Sequence, residues 1–414
     1  MIDPLDIQKQ VTNAAMVTMQ RMLTAEVECS HEGQYLITAS GRKYLNLGGY
    51  GIFLLGGNPK SVLQAVTNQM QKMAMSTRLV PNTLLGQAAA KLLSTQGGSL
   101  AKVIFANSGA EATEIAVKIA KINGCNRLIG MDNAFHGKTT GALALSGRGT
   151  YQAPFRPLLD VEHVPFGDID ALQHKIRDGG RSAVIVEPIQ GEAGVVFPPE
   201  GYLSSLGKIC QEADAILIVD EIQTGLGRLG CWWEYQAAGC NPDIVLSGKV
   251  LSGGVYPIAA VSVTSELYKP FDGDPLLHSS TYAGSPAACA TVLAVMDYLE
   301  HNQVPDRADK LGRKLSFIMN RVLKDPQVLE VRGKGLLWAV EFLPGAASGE
   351  FLFHCMDYGI IPSTALNSSN IIRFTPPVII EENDIRAIDL MLTEWLNRLS
   401  LIHISEPTRQ AEIS

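Results

Sequence analysis

The stretch PDIVLSGKVLSGG, residues 242–254, places Lys249 three residues after the apolar run Ile244–Leu246. The run reads as a buried strand, and a lysine is almost never fully buried without a partner. Either the segment surfaces at the strand end or the amine has chemistry to do. The flanks, Ser247-Gly248 before and Ser252-Gly253-Gly254 after, are small and turn-forming, so a bulky ligand could approach. A desolvated lysine holds its proton less tightly and becomes a nucleophile toward carbonyls. The competing reading is a lysine at a strand exit that reaches into water.

Further apolar runs occur at Val103–Phe105, Leu128–Ile129, Ala183–Val186, Ala215–Val219 and Ile258–Val263. Amphipathic stretches such as GAEATEIAVKIAKIN (109–123) and GYLSSLGKICQEAD (201–214) lie between several of them. This alternation, from about residue 60 to 300, predicts an α/β unit with a mostly parallel sheet covered on both faces. Ligands of such sheets bind beyond the carboxyl ends of the strands. The residues found there are chemically loaded: Asn107 to Glu111, then Glu187, Gln190 and Glu192, then Asp220, Glu221 and Gln223, then Lys249. Residues 59–300 are therefore expected to form a large ligand-binding domain. Residues 301–398, in which two amphipathic helices bracket LLWAVEF (336–342) and IIRFTPP (371–377), read as a small α+β domain, and residues 1–58 as a segment joining it. The last sixteen residues, LSLIHISEPTRQAEIS (399–414), resemble a translated library adapter and are expected to be non-native.

Composition narrows the function class. The 414 residues are 46% apolar and 18% charged, with a formal charge of −7 from 34 basic and 41 acidic side chains. There is no basic stripe for nucleic acid and no polybasic membrane patch. The start, MIDPLDIQKQ, has no secretory pattern, and no apolar run approaches the roughly 18 residues of a membrane span. Seven scattered cysteines without a C-x-x-C point to reduced thiols in a cytoplasmic protein, and the histidines form no ligand-spaced metal cluster.

Single motifs leave alternatives open. Ser108 and Glu111 have capping-box spacing, and the helix start they open would suit a phosphate, although capping boxes are common. GLGRLG (225–230) matches G-x-G-x-x-G, but no helix opens directly behind it, so a dinucleotide site is not expected. Asp220 is a helix or turn cap, or else a carboxylate for a protonated ring nitrogen. Phe135 could stack on a flat ring or belong to the core. Arg373 is a fork for a carboxylate, or an edge-strand arginine in solvent.

As a set, NSGAEATE (107–114), NAFHGK (133–138), EPIQGEAG (187–194), VDEIQTGLGR (219–228), LSGKVLSGGVYPI (246–258) and HSSTYAGSP (278–286) resemble the class-III, or omega, aminotransferases. The resemblance implies the fold type I architecture of pyridoxal-phosphate enzymes, with a seven-stranded, mostly parallel sheet and a small α+β domain. It implies pyridoxal 5'-phosphate as cofactor, with Lys249 carrying it and shuttling a proton. Asp220 would pair with the ring nitrogen, Gln223 would touch the ring hydroxyl and Phe135 would stack on the ring. Gly109 and Ala110 would hold the phosphate, with Ser108, His136 and Glu187 in the same shell. Thr281 would reach the phosphate of a neighbouring subunit, making a homodimer obligatory. Arg373 would grip the carboxylate of 2-oxoglutarate, Glu192 would neutralise it when an amine binds, and Tyr50 and Lys138 would face substrate.

GGYGIF (48–53) and FHGKTTGALALSG (135–147) look most like putrescine (diamine) aminotransferases. Lys138 stands where ornithine and acetylornithine enzymes usually have arginine, and a point-charge ammonium does not replace a bidentate fork. The turn GGNP (56–59) is a residue shorter than the family's, which loosens the placement of Tyr50. The implied activity is transfer of an amino group from a diamine to 2-oxoglutarate. An acetylornithine/ornithine-type or biosynthetic aminotransferase is the alternative, and an aminomutase or decarboxylase the more distant one.

Overall fold

A computed structural model describes residues 4–24 and 26–405 of the chain. Strands β1 (Glu28–Glu32), β2 (Tyr35–Thr38) and β3 (Lys43–Asn46) form an antiparallel meander near the N-terminus. The central sheet comprises β4 (Leu100–Ala106), β5 (Arg127–Met131), β6 (Glu162–Val164), β7 (Ser182–Val186), β8 (Ile216–Asp220), β9 (Ile244–Ser247) and β10 (Ala259–Thr264). Its order is β4-β10-β9-β8-β7-β5-β6, with β10 antiparallel to both neighbours and the pairs from β9 to β6 parallel. The six strands expected from apolar runs are present. The seventh, β6, was not foreseen because its three residues, Glu-His-Val, carry no apolar run. β11 (Val328–Lys334), β12 (Leu337–Phe342), β14 (Ser363–Ala365) and β15 (Ser368–Phe374) make a third, antiparallel sheet, while β13 (Ile360–Ile361) pairs in parallel with β3.

The centre of the main sheet is dry on both faces. β7, β8 and β9 read SAVIV, ILIVD and IVLS, and all their residues are buried, as parallel strands sandwiched between helices require. Successive side chains alternate between two cores. Leu217, Val219 and Val245 enter the larger core, while Ile216, Ile218, Ile244 and Leu246 pack with Ala112, Ile115 and Ile119 of the helix Gly109–Ile122. Asp220 continues the Ile216–Ile218 row, and Glu187 continues the Ala183–Ile185 row. Both carboxylates therefore leave the sheet on the side of that helix, whose N-terminus ends beside them.

The C-terminal helix spans Glu382–Ser405, so its backbone runs into the segment expected to be non-native; residues 406–414 lie outside the described residues. Among the described residues no helix is long and apolar enough to cross a membrane.

Candidate active site

The helix Gly109–Ile122 opens where β4 ends. Ser108 caps it, its Oγ accepting from Glu111 N–H at 3.2 Å. The return bond of the capping box closes one residue early: Glu111 Oε2 accepts from Asn107 N–H at 3.0 Å and from Asn107 Nδ2 at 2.8 Å. The first turn keeps N–H groups without intrahelical partners, and Gly109 and Ala110 line a cavity of about 270 Å³. A Cβ on Gly109 would stand 2.8 Å from Ile222 Cδ1 and push the tip of that side chain aside.

The same cavity is lined by Phe135, His136, Glu187, Asp220, Gln223 and Lys249. Folding thus brings together eight of the residues expected from sequence. Asp220 meets its turn-forming reading and has a second buried partner. Its Oδ1 accepts from Ile222 N–H at 3.0 Å as a turn former, and its Oδ2 meets His136 Nδ1 at 2.7 Å. Burial opposes a charge on His136, but the hydrogen bond to Asp220 and its negative charge outweigh that and raise the imidazole pKa. The result is a buried pair in which His136 holds the carboxylate from behind. Glu187 accepts from Phe135 N–H at 3.0 Å, and burial pushes its pKa up to about 7.

Gln223 carries a buried Nε2 with no partner, and a Cβ on Gly191 would fall 1.6 Å from its Oε1. Gly191 is what lets the amide settle at the cavity wall. Lys249 follows β9 at the start of a short 3-10 turn with φ +40°, a left-handed conformation unusual for a residue with a side chain. Ser252 Oγ ties down its carbonyl at 2.7 Å. Burial lowers the Lys249 pKa. The nearby Glu192, Asp220 and Glu187 charges oppose that shift, and Arg373 adds to it.

Arg373 is not an edge-strand arginine: β15 lies between β12 and β14, and the guanidinium is fully buried. Its Nη2 meets Glu192 Oε2 at 2.9 Å and its Nη1 donates to Gly191 O at 3.1 Å. Tyr50 is 55% exposed at φ +56° and is absent from the cavity lining. Its neighbour Gly51 is the residue that approaches, with room for a Cβ only 3.5 Å from Gln223 Nε2 and 3.9 Å from Lys249 Cδ. Lys138 is exposed, its Nζ 5.1 Å from the centre of the Tyr151 ring. Thr281 is also exposed and lines a separate surface cavity of about 360 Å³ with Arg78 and His278.

Sequence reasoning missed Gly51, Gly137, Ile189, Ile222, Thr224 and Gly191. Gly137 had a visible signal, its place inside FHGK: at φ +128° a Cβ would press within 2.6 Å of Ala110 Cβ. GLGRLG forms turns with no helix at its start, as expected. Its Arg228 is fully buried and donates to the carbonyls of Leu336, Pro376 and Gly51 at 3.1, 2.7 and 3.0 Å, which closes the Gly51 turn over the cavity.

The sequence profile described as Aminotransferase class-III matches residues 18–396. The chain belongs to the class-III aminotransferases. It is similar to the ornithine aminotransferase from Toxoplasma gondii, crystallised with partial occupancy of PLP at the active site. The two share 28% identity over 94% of this chain and 95% of that one, with a TM-score of 0.84. It is also similar to the omega transaminase from Pseudomonas jessenii in complex with PMP, at 25% identity over 96% and 98% of the two chains and a TM-score of 0.87. The fold is the fold type I PLP-dependent transferase fold, the protein is a transaminase, and its cofactor is pyridoxal 5'-phosphate. The cavity suits that cofactor: a helix N-terminus, an acid backed by histidine, an unpartnered amide donor and a lysine of lowered pKa face one space.

Proposed function

We propose that this aminotransferase takes the amino group of a terminal amine, a putrescine-like diamine foremost, and passes it to 2-oxoglutarate, releasing an aldehyde and glutamate. The observation that carries the proposal is the buried Glu192–Arg373 pair, whose charges act on Lys249. A paired arginine is neutralised and tolerates a substrate end without a carboxylate. Once Glu192 withdraws, the same guanidinium fork binds the carboxylate of a 2-oxo acid.

The site divides the remaining work among its residues. The N–H groups of Gly109 and Ala110 would hold the cofactor phosphate, Asp220 its ring nitrogen, Gln223 Nε2 its ring oxygen, and Phe135 its face. When bound, the cofactor supplies a ring that withdraws electrons from the substrate carbon bearing nitrogen. Lys249 would anchor it until the substrate amine takes its place, and the freed Nζ, less basic through burial, would then be the group that accepts and returns the proton. His136, bonded to Asp220 Oδ2 at 2.7 Å, would fix the orientation in which the carboxylate meets the ring nitrogen. Residues 59–300 serve as the cofactor-binding domain, with 1–58 and 301–398 forming the smaller one. Thr281 acts on the partner subunit of a homodimer.

An ornithine- or acetylornithine-type donor is the second reading, favoured by the similarity to the Toxoplasma gondii enzyme. Purified protein loaded with cofactor and exposed to single amines separates the two. Putrescine is expected to bleach the yellow lysine-bound cofactor band faster than ornithine or acetylornithine, and glutamate is expected only after 2-oxoglutarate is added. Faster bleaching by ornithine would overturn the diamine assignment, and absence of glutamate would overturn the acceptor. Lys249→Ala should fold and retain cofactor without that band, with transamination reduced by at least about 10³-fold.

A further inference from the structure

The buried ion pair is held by more than its two members. Leu366 and Asn367 form the turn between β14 and β15, the strand that carries Arg373. This turn is tied to elements around the central sheet by several bonds. Leu366 N–H donates to Glu192 Oε2 at 3.2 Å, the same oxygen that meets Arg373. Leu366 O accepts from the Tyr151 hydroxyl. Asn367 N–H donates to the Glu192 carbonyl at 3.0 Å, and Asn367 Nδ2 donates to Asn133 O at 2.7 Å. Two cations approach the Tyr151 ring, with Lys138 Nζ at 5.1 Å and the Arg148 guanidinium at 5.2 Å from its centre.

This arrangement has unequal consequences in the two half-reactions. While an amine without a carboxylate is bound, Glu192 stays on Arg373 and on Leu366, so the hairpin tip is held by every tether. When a 2-oxo acid binds, the Glu192 carboxylate leaves, and both Arg373 and the Leu366 N–H lose it. The tethers that do not depend on that carboxylate then keep the hairpin, and Arg373 with it, in place. We infer that Tyr151 and Asn367 are positioning residues that hold the β14–β15 hairpin while Glu192 is displaced, and so set the balance between amine and 2-oxo acid substrates. The inference rests on the proposed role of the Glu192–Arg373 pair.

The test measures the two half-reactions separately, by rapid-mixing absorbance on cofactor-loaded enzyme, for Tyr151→Phe, Asn367→Ala and Arg373→Met. Tyr151→Phe keeps the ring and removes only the hydroxyl. It should raise the half-saturating 2-oxoglutarate concentration about 5- to 10-fold, the worth of one partly buried hydrogen bond. The corresponding value for the amine should stay within about twofold, which also shows that the variant is folded. Asn367→Ala should repeat the split. Equal shifts in both half-reactions, or no shift in either, overturn the inference while leaving the pair's role intact. If Arg373→Met leaves the 2-oxoglutarate half-reaction unchanged, the pair's role falls and the inference falls with it.

Discussion

At the level of single residues, the site depends on what is absent as much as on what is present. Gly191 illustrates this. Its backbone needs no glycine-only conformation, because it is not among the residues of positive φ, yet a Cβ there would overlap Gln223 Oε1 at 1.6 Å. The Gln223 amide is the flexible end of a side chain, so it would move rather than unfold the protein. Gly191→Ala should therefore keep its melting temperature within a few degrees but bind pyridoxal 5'-phosphate about 3- to 10-fold more weakly, the worth of one hydrogen bond. Titrating apoenzyme with cofactor measures this directly, and unchanged affinity would show that Gln223 Nε2 has no part in holding it. Lys249 is the opposite case. Its left-handed φ is a local strain fixed by the surrounding turn, and strain of this kind gathers at functional positions.

Between elements, a buried carboxyl joins the end of β8 to the helix Glu234–Ala237. Glu221 accepts from Tyr235 N–H at 2.8 Å and from the Thr224 hydroxyl at 2.5 Å, and among the described residues no cation is bonded to it. Burial is the main cause that pushes its pKa up to about 8, from an ordinary value of 4.5. The folded state thus binds its proton more tightly than the unfolded chain. The stability Glu221 contributes is complete below about pH 4.5 and is lost as pH rises toward 8. A shift of that size corresponds to roughly 3–5 kcal/mol. Glu221→Gln keeps both hydrogen bonds and removes the titration. Its melting temperature relative to the parent should climb steadily from pH 5 to pH 8; a difference independent of pH would refute the assignment.

For the whole molecule, the separation of Thr281 from the Lys249 cavity is the informative fact. Within one chain Thr281 lines a different surface cavity, where Arg78 Nη2 donates to the Thr281 and Ala283 carbonyls at 3.0 and 3.1 Å. Exposed Leu79 and Tyr282 lie in the same region. If Thr281 serves the partner's site, each subunit supplies what the other lacks. Lys249→Ala and Thr281→Ala proteins, each poorly active alone, should regain activity when dissociated and reassembled together. Random pairing makes half of the dimers mixed with one complete site each, so about a quarter of parental activity is expected above the background of the Thr281 variant. No recovery above the average of the two parents would place Thr281 outside a shared site.

Much of this architecture was legible in the chain because its signals are local. Strands buried on both faces, such as ILIVD and IVLS, are continuous apolar runs, and their ends mark where chemistry collects. Lys249, Asp220 and Gly109 stood out there as candidates, with their roles implied by the family resemblance, whereas β6 did not, because a three-residue strand with two polar residues leaves no run to read. The partnerships were hidden for the converse reason. His136 behind Asp220, Gln223 against Gly191 and Gly51 near Lys249 join residues far apart in sequence, and no spacing rule connects them; the Glu192–Arg373 pair was implied only by the family resemblance. Whether Arg373 faced water or a carboxylate depended on which strand became the sheet's edge, which is settled by packing between segments. The residue types at the strand ends were thus written locally. Their hydrogen-bond partners, their burial and the resulting pKa shifts came only from long-range packing, which places a charge where water cannot reach it.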